Sequence, residues 1–170
     1  MLQAFALQQV VDRLTGKDSE IIDFSNEGQQ KLYSVRQPND SLKNVIKNII
    51  LAPWFKRIAR NYESYERFKK NNFRLSNFPI HKSADLSDAD YDIVVAGSDQ
   101  IWNITIADGD DAYFLPWVKN ARKVAYAPSF GAKNIMDYAA NPNRYAEYLR
   151  DFANLSIRER NGLEWLQNLT

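Results

Sequence analysis

One stretch constrains the fold of this chain more than any other: the β-branched run Ile93-Val-Val, which stops at Ala96-Gly97. A short apolar run of this kind is typical of a parallel strand that is buried on both faces. A similar run precedes Pro128, and Asn154-Leu-Ser-Ile-Arg158 has the pattern of a third short strand. The sequence therefore predicts three strands, over residues 91–97, 123–128 and 154–158.

Helical patterns lie between and after these strands. Residues 134–152 have a helical pattern that is broken at Asn141-Pro-Asn143, and residues 159–169 form a helical pattern after the third strand. Strands that alternate with helices indicate an α/β fold. We therefore predict a doubly wound, mostly parallel sheet.

The first part of the chain has mainly helical patterns. Ala4, Leu7, Val11 and Leu14 share one face of a first helix, which Gly16 can end. Residues 20–24 are predicted to form a short strand. After a polar stretch, Asp40 or Ser41 can cap a further helix, whose apolar face consists of Leu42, Val45, Ile46, Ile49 and Ile50.

Proline then separates two helices. Pro53 ends the helix that follows Ser41 and can begin the next one. In that next helix an apolar stripe is formed by Phe55, Ile58, Tyr62, Tyr65 and Phe68. Residues 71–90 are rich in Ser, Asn and Asp and are predicted to form a loop.

Composition excludes several classes of function. Lys and Arg number 22 against 21 for Asp and Glu, and this balance argues against a nucleic-acid-binding protein. The absence of cysteine excludes disulfides and thiolate metal sites, and a single histidine excludes a multi-histidine metal site. We also expect a cytoplasmic protein, since the start of the chain lacks the features of a signal peptide. No G-x-G-x-x-G follows a predicted strand, which disfavours a dinucleotide-dependent oxidoreductase.

Unusual polar residues follow the first predicted strand, in Gly97-Ser-Asp-Gln-Ile-Trp-Asn103. Ligands of parallel α/β sheets bind beyond the carboxyl ends of the strands. Gly97 permits a sharp turn and a close approach of backbone to ligand. Trp102 offers a flat face on which a sugar ring could pack. Groups that can hydrogen-bond to sugar hydroxyls are present on Ser98, Asp99, Gln100 and Asn103. The alternative is that Ser98 or Asp99 caps a helical turn and that Trp102 fills the core.

Two further loops follow the other strands. Ser129 and the amides after it, in Pro128-Ser-Phe-Gly131, can receive an anion; the alternative is an ordinary Pro/Gly turn. Arg158 can bind a carboxylate in bidentate fashion; the alternative is an ion pair with Glu159 or another acid.

These strings together resemble the polysaccharide pyruvyl transferase family. The resemblance is carried by Leu2-Gln-Ala-Phe-Ala-Leu7, Gly97-Ser-Asp-Gln-Ile-Trp-Asn103, Tyr113-Phe-Leu115, Ala125-Tyr-Ala-Pro-Ser-Phe-Gly131 and Ser156-Ile-Arg-Glu159. It implies two Rossmann-like domains facing across a cleft, as in glycosyltransferase-B enzymes. It also implies transfer of a pyruvyl group from phosphoenolpyruvate to a hydroxyl of a sugar or polysaccharide precursor, with no further cofactor and no metal.

On this resemblance Asp99 is the candidate catalytic residue. The expected substrate-binding residues are Gly97, Ser98, Gln100, Trp102, Asn103, Ser129, Phe130, Gly131 and Arg158. Residues 1–170 are expected to form a single, partial N-terminal Rossmann-like domain with a basic helical insertion at about 41–70.

The resemblance also implies a strand before the first helix and a second domain, and the sequence carries neither. We therefore expect part of an enzyme that is inactive alone and that either self-associates through exposed strand edges or is only marginally stable. Two alternatives stay open: a nucleotide-sugar glycosyltransferase of similar fold, and a non-catalytic domain that binds sugars or proteins.

Three other features have competing interpretations. Asp108-Gly-Asp-Asp111 is similar to a metal motif but is also typical of a solvated acidic turn, which we favour. Histidine is a common general base, but no acid lies at motif spacing from His81, so we expect a surface or packing role. The basic segment 41–70, with Trp54 and Phe55, can contact a membrane surface peripherally or can be an ordinary amphipathic insertion.

Overall fold

A computed structural model describes residues 2–169. The polypeptide divides into two compact units, with the boundary between Pro79 and Ile80. The first unit is mainly helical, and the second contains a small parallel sheet with helices. The organisation as one partial domain with an insertion stays a prediction.

Four helices make up most of the first unit: α1 (Leu2–Thr15), α2 (Glu27–Tyr33), α3 (Leu42–Leu51) and α4 (Phe55–Asn72). Gly16, with φ of +65°, follows the end of α1 as expected. The side chain of Ser41 caps α3 by accepting a hydrogen bond from the N–H of Asn44. Pro53 lies in a short 3-10 turn, Ala52–Trp54, that separates α3 from α4. The helix boundaries predicted around Ser41 and Pro53 are therefore confirmed.

The strand predicted at residues 20–24 is wrong in its extent. Ile21 makes an isolated parallel bridge with Leu75 instead of a regular ladder. Its N–H donates to the carbonyl of Arg74 over 2.7 Å, and its own carbonyl accepts from the N–H of Ser76. Two residues further on, the N–H of Asp23 donates to the hydroxyl of Ser76. A side chain therefore takes the donor that a regular ladder would pair with backbone.

The second unit contains a three-stranded parallel sheet in the order β1–β2–β3. Its strands are β1 (Ile93–Gly97), β2 (Arg122–Tyr126) and β3 (Asn154–Leu155), and its helices are α5 (Ile135–Tyr138), α6 (Pro142–Arg150) and α7 (Arg160–Leu169). Val94 is opposite Lys123, and Gly97 is opposite Tyr126. All three predicted strands are found, although β3 is only two residues long. The chain is therefore a mixed helix and sheet protein with a small parallel sheet.

The strands are buried on one face, not on both as predicted. Val94, Ala96 and Ala125 lie in the same buried cluster as α6 and α7 residues Leu149 and Leu166. Ile93 and Tyr126, which alternate with them along the strands, are exposed. Helical residues thus cover the face that carries the small side chains. An apolar run without polar interruptions does not by itself reveal this asymmetry, because Ile93 and Val94 look alike in sequence.

A buried carboxylate fixes the start of β2. One oxygen of Asp88 accepts three backbone hydrogen bonds, from the N–H groups of Lys119, Asn120 and Ala121, over 2.8, 2.6 and 2.9 Å. These donors, that of Ala121 most of all, hold the pKa of Asp88 at about 2, below its usual range. The turn that leads into the strand is therefore tied to the loop before β1.

Candidate functional site

The loops that follow the three strands meet at one edge of the sheet. The N–H of Ser129 donates to the carbonyl of Asp99 over 2.9 Å, which joins the loops after β1 and β2. The N–H of Arg158 donates to the carbonyl of Pro128 over 3.1 Å, which joins the loops after β2 and β3. The expectation that these loops lie together at the carboxyl ends of the strands is therefore met in the geometry.

Gly97 turns the chain where β1 ends. Its φ is +148°, and a Cβ atom at this position would overlap the carbonyl oxygen of Tyr126 on the neighbouring strand. The peptide bond between Gly97 and Ser98 is cis. The close approach that only glycine permits is thus made to another strand of the sheet. The sequence prediction had assigned that approach to a ligand.

Asp99 and Arg158 place opposite charges at the surface of this edge. Their nearest atoms, Asp99 Oδ1 and Arg158 Nη1, lie 3.7 Å apart, and the two side chains are 65% and 36% exposed. The Asp99 carboxylate also accepts a hydrogen bond from the N–H of Gln100. Arg158 thus pairs with an acid from another loop, not with its neighbour Glu159. Both groups remain accessible to a ligand that carries hydroxyls and an anionic group.

Trp102 belongs to the core, which is the alternative that the sequence left open. It is fully buried and stacks on Phe114 with ring centroids 5.2 Å apart. Its indole N–H donates to the carbonyl of Tyr113 over 3.0 Å, so its one polar atom is satisfied inside the protein. It presents no face on which a sugar ring could pack.

Phe130 is also buried in the core, beside Trp102. Its ring lies 5.5 Å from that of Trp102 and 6.2 Å from that of Trp165. Both Trp102 and Phe130 were expected to contact substrate. Their large apolar surfaces instead stabilise the core beneath the loops.

The turn at residues 128–131 has no amide left for an anion. The N–H of Ser129 is taken by Asp99, and that of Phe130 donates to a carboxylate oxygen of Glu159 over 2.9 Å. The N–H of Gly131 donates to the hydroxyl of buried Ser129 over 3.0 Å. The anion-binding prediction for these amides is therefore wrong. The alternative, a turn with satisfied hydrogen bonds, describes them.

Asn103, in the loop after β1, packs closely against Gly131, in the loop after β2. The Asn103 side chain is nearly buried, and its oxygen accepts from the N–H and the hydroxyl of Thr105 over 3.0 and 2.8 Å. Gly131 has φ of +77°, and a Cβ atom there would overlap the Asn103 amide nitrogen. These two residues position the loops and do not present polar groups to a ligand.

Sequence reasoning missed residues that support or extend the site. Ser156 accepts from the N–H of Ala127 over 2.9 Å and donates to the carbonyl of Ala125. Glu159, which had been treated only as a pairing option for Arg158, holds Phe130 in place. Tyr126 is 55% exposed at the end of β2, beside Gly97 in the register. The sequence Arg122-Lys-Val-Ala-Tyr126 has no alternation of polar and apolar residues that could have placed the Tyr126 ring outside.

The accessible residues at this edge of the sheet are therefore fewer than the sequence suggested. Among them are Ser98, which is half-buried, and the exposed residues Asp99, Gln100, Tyr126 and Arg158. Four of these residues were expected to contact substrate: Ser98, Asp99, Gln100 and Arg158. That role stays a prediction. Chemically, the group offers one carboxylate, one guanidinium, an amide, a hydroxyl and an aromatic face.

The acidic loop has structural partners. Asp110 caps a short 3-10 helix, Asp111–Phe114, by accepting from the N–H of Ala112 over 2.8 Å. Asp111 accepts from the hydroxyl of Tyr145 and pairs with Arg144. Within residues 2–169, no group of three or more acidic or histidine side chains is placed to hold a metal ion. His81 is exposed in the loop that precedes the sheet.

Comparison with known proteins gives one match. No significant match was found among curated proteins or among solved structures. The sequence model of the polysaccharide pyruvyl transferase family, by contrast, matches residues 1–170. This match extends over both compact units and over all the loops described above. The chain therefore belongs to the polysaccharide pyruvyl transferase family.

Proposed function

We propose that this chain is the N-terminal, acceptor-side part of an enzyme that moves a pyruvyl group from phosphoenolpyruvate to sugar hydroxyls in cell-surface polysaccharide biosynthesis. The single observation that supports this most is the exposed Asp99–Arg158 pair at the carboxyl edge of the sheet, in a chain of this family. In the proposal the sheet belongs to a Rossmann-like domain of a glycosyltransferase-B-like enzyme in the cytoplasm.

The proposed reaction requires proton removal and charge stabilisation. Two sugar hydroxyls form two C–O bonds to the central carbon of the enolpyruvyl group. The C–O bond to phosphate breaks, the methylene carbon gains a proton to become methyl, and inorganic phosphate leaves. One of the two hydroxyl protons goes to the methylene carbon, and the other leaves with the inorganic phosphate. This is a group transfer that needs no redox partner.

Asp99 has the chemistry for the hydroxyl side of this reaction. An exposed carboxylate can accept a hydrogen bond from a sugar hydroxyl and can take its proton as the new bond forms. Its main chain is fixed by Ser129, since the Ser129 N–H donates to the Asp99 carbonyl. The carboxylate is thus held on a rigid base.

Arg158 has the chemistry for the anionic donor. Phosphoenolpyruvate carries a carboxylate and a phosphate, and a planar guanidinium matches either one with two parallel hydrogen bonds. Ser98 and Gln100 can bind further hydroxyls of the acceptor. The exposed ring of Tyr126 takes the stacking role that buried Trp102 cannot fill.

The proposal is tested by phosphate release from phosphoenolpyruvate, assayed with a panel of acceptor sugars. The assay is run on this chain and on the complete product of its gene, and the ketal is identified by mass spectrometry. We expect release that requires both an acceptor and Asp99. Asp99→Asn is compared with Asp137→Asn, which changes an exposed carboxylate on α5 that lies outside the three loops.

Other outcomes would redirect the assignment. Nucleotide release from a nucleotide sugar, without phosphate release from phosphoenolpyruvate, would indicate a glycosyltransferase. Sugar binding without turnover of either donor in the complete gene product would indicate a non-catalytic domain.

A further inference from the structure

The outer face of α3 is apolar and uncovered. We define this outer face by Leu42, Ile46, Ile49 and Ile50, whose exposed fractions run from 47% to 77%. At about 100° per residue these four side chains fall within one arc of the helix. Trp54, 52% exposed, follows them in the turn after the helix. Four large aliphatic side chains on one exposed arc are costly in water and indicate a contact surface.

The opposite face of α3 explains why the apolar arc points outwards. The Asn48 side-chain amide donates to the carbonyl of Gln37 over 2.8 Å and to the side chain of Asn39 over 3.0 Å. Its oxygen accepts from the N–H of Gln37 over 3.0 Å. A polar side chain thus anchors α3 to the preceding loop. The helix cannot rotate its apolar arc inwards without breaking all three hydrogen bonds.

The charged side chains of α3 itself, Lys43 and Lys47, have one sign, although the Asp40 carboxylate lies just before the helix and accepts from the Asn44 side chain. Residues 41–62 contain five cations, Lys43, Lys47, Lys56, Arg57 and Arg60, and no carboxylate. The whole chain carries a net charge of only +1, so the other residues are net negative. Each of the five cations is exposed. The positive charge is therefore concentrated in this segment, and Lys43 and Lys47 lie on the same helix as the apolar arc.

We propose that the outer face of α3, with Trp54, docks onto an anionic lipid surface. An exposed aliphatic arc flanked by Lys and Arg, with a Trp at its end, is the arrangement by which interfacial helices bind membranes. A second copy of the chain fits less well, because two such faces would bring like charges together. A nucleic acid would match the cations but not the four aliphatic side chains.

None of the helices in residues 2–169 has the length and apolar character needed to cross a bilayer. The proposed contact is therefore peripheral, with the α3 axis in the plane of the interface. It concerns the first compact unit only and does not rest on the reaction proposed above.

The test is co-sedimentation of the chain with vesicles of phosphatidylcholine alone and of phosphatidylcholine with phosphatidylglycerol. Ile46→Ser with Ile49→Ser removes apolar contact, and Lys43→Gln with Lys47→Gln removes charge. Leu32→Ser with Phe78→Ser is the matched control, because both residues are exposed apolar side chains of the same unit outside α3. Circular dichroism establishes that each variant is folded.

We expect binding to the anionic vesicles that falls about tenfold or more in the Ile variant and in the Lys variant, and that is unchanged in the control. The fluorescence of Trp54 should also be quenched by brominated lipid, a signal that Trp54→Phe removes. Three outcomes would overturn the proposal: no binding to anionic vesicles, binding that the Ile variant leaves unchanged, or dimerisation without lipid that the Ile variant abolishes.

Discussion

The carboxylate of Asp99 and the guanidinium of Arg158 lie 3.7 Å apart, although they come from the loops after the first and the third strand. The loop between them, after β2, is hydrogen-bonded to both. This relationship brings two accessible, opposite charges from different strand-end loops within reach of one ligand.

We predict that Asp99→Asn lowers kcat for pyruvyl transfer about 10²–10⁴-fold, because it removes the group that accepts the hydroxyl proton. Thermal stability should change little, since exposed ion pairs contribute at most about 1 kcal/mol.

Arg158→Lys should instead raise KM for phosphoenolpyruvate, because an ammonium group cannot replace the planar guanidinium with its two parallel hydrogen bonds. Steady-state kinetics of the complete gene product measure both effects, and equal kcat values for the wild type and Asp99→Asn would contradict the role of Asp99.

Trp102→Ala should destabilise the protein by about 3–5 kcal/mol, as expected for the loss of a fully buried aromatic side chain. Its stacking on Phe114 and its hydrogen bond to Tyr113 are both lost. Urea denaturation measures the change. If Trp102 contacted sugar instead, the variant would remain stable while its affinity for the acceptor fell.

Tyr126→Ala should raise KM for the acceptor sugar without a large loss of stability, because the Tyr126 ring is more than half exposed. Tyr126→Phe keeps the aromatic face and should behave as the wild type does. A loss of affinity in both variants would mean that the hydroxyl, not the ring, makes the contact.

Gly97→Ala should destabilise the protein by more than the cost of a positive φ alone, because the new methyl group meets the carbonyl of Tyr126. Gly16→Ala is the matched control: it also has a positive φ, but no atom lies within 4 Å of its new Cβ. The control should cost only about 1–2 kcal/mol. Similar unfolding free energies for the two variants would contradict the clash.

Asp88 should make stability fall in acid. Its folded pKa is about 2, below the value of about 3.9 for an unfolded Asp. Its contribution is therefore present above about pH 4 and is lost as the pH falls through about 2. Asp12, whose pKa is also about 2 because the hydroxyl and N–H of Ser19 donate to it, acts in the same window. Between about pH 2 and pH 4 the denaturation midpoint of the wild type should fall as the pH falls, and this dependence should be weaker in Asp88→Asn. An equal dependence on pH in both proteins would contradict the stabilising role of the Asp88 carboxylate.

Some of the architecture was predictable because local patterns determine it. Ser41 and Pro53 mark the ends of α3 through a side-chain cap and a missing N–H, which are effects within a few residues. The convergence of the loops at Asp99, Ser129 and Arg158 was also predictable, since parallel strands share one carboxyl edge.

What the sequence could not decide was which side of each element faces solvent. Trp102 suits both a sugar platform and a core, and only the packing of Phe114 against it distinguishes the two. The amides at Ser129 and Phe130 suit an anion site until Asp99 and Glu159 are seen to accept from them. Likewise, the apolar stripe of α3 would normally predict a face buried in the core. The hydrogen bonds of Asn48 instead turn the opposite face towards the preceding loop, so the apolar stripe is exposed.

The backbone around Arg158 is held on both sides, by its own N–H to Pro128 and by the Glu159 carboxylate to Phe130. A ligand that binds the guanidinium would therefore order mainly side-chain torsions, because the main chain from which Arg158 extends is already hydrogen-bonded to the neighbouring loop. The entropic cost of recognition is small, and the gain from each hydrogen bond to the ligand is kept as affinity. If Arg158 binds the anionic donor as proposed, loosening the turn at residues 128–131 should weaken that binding even though the turn itself does not contact the anion.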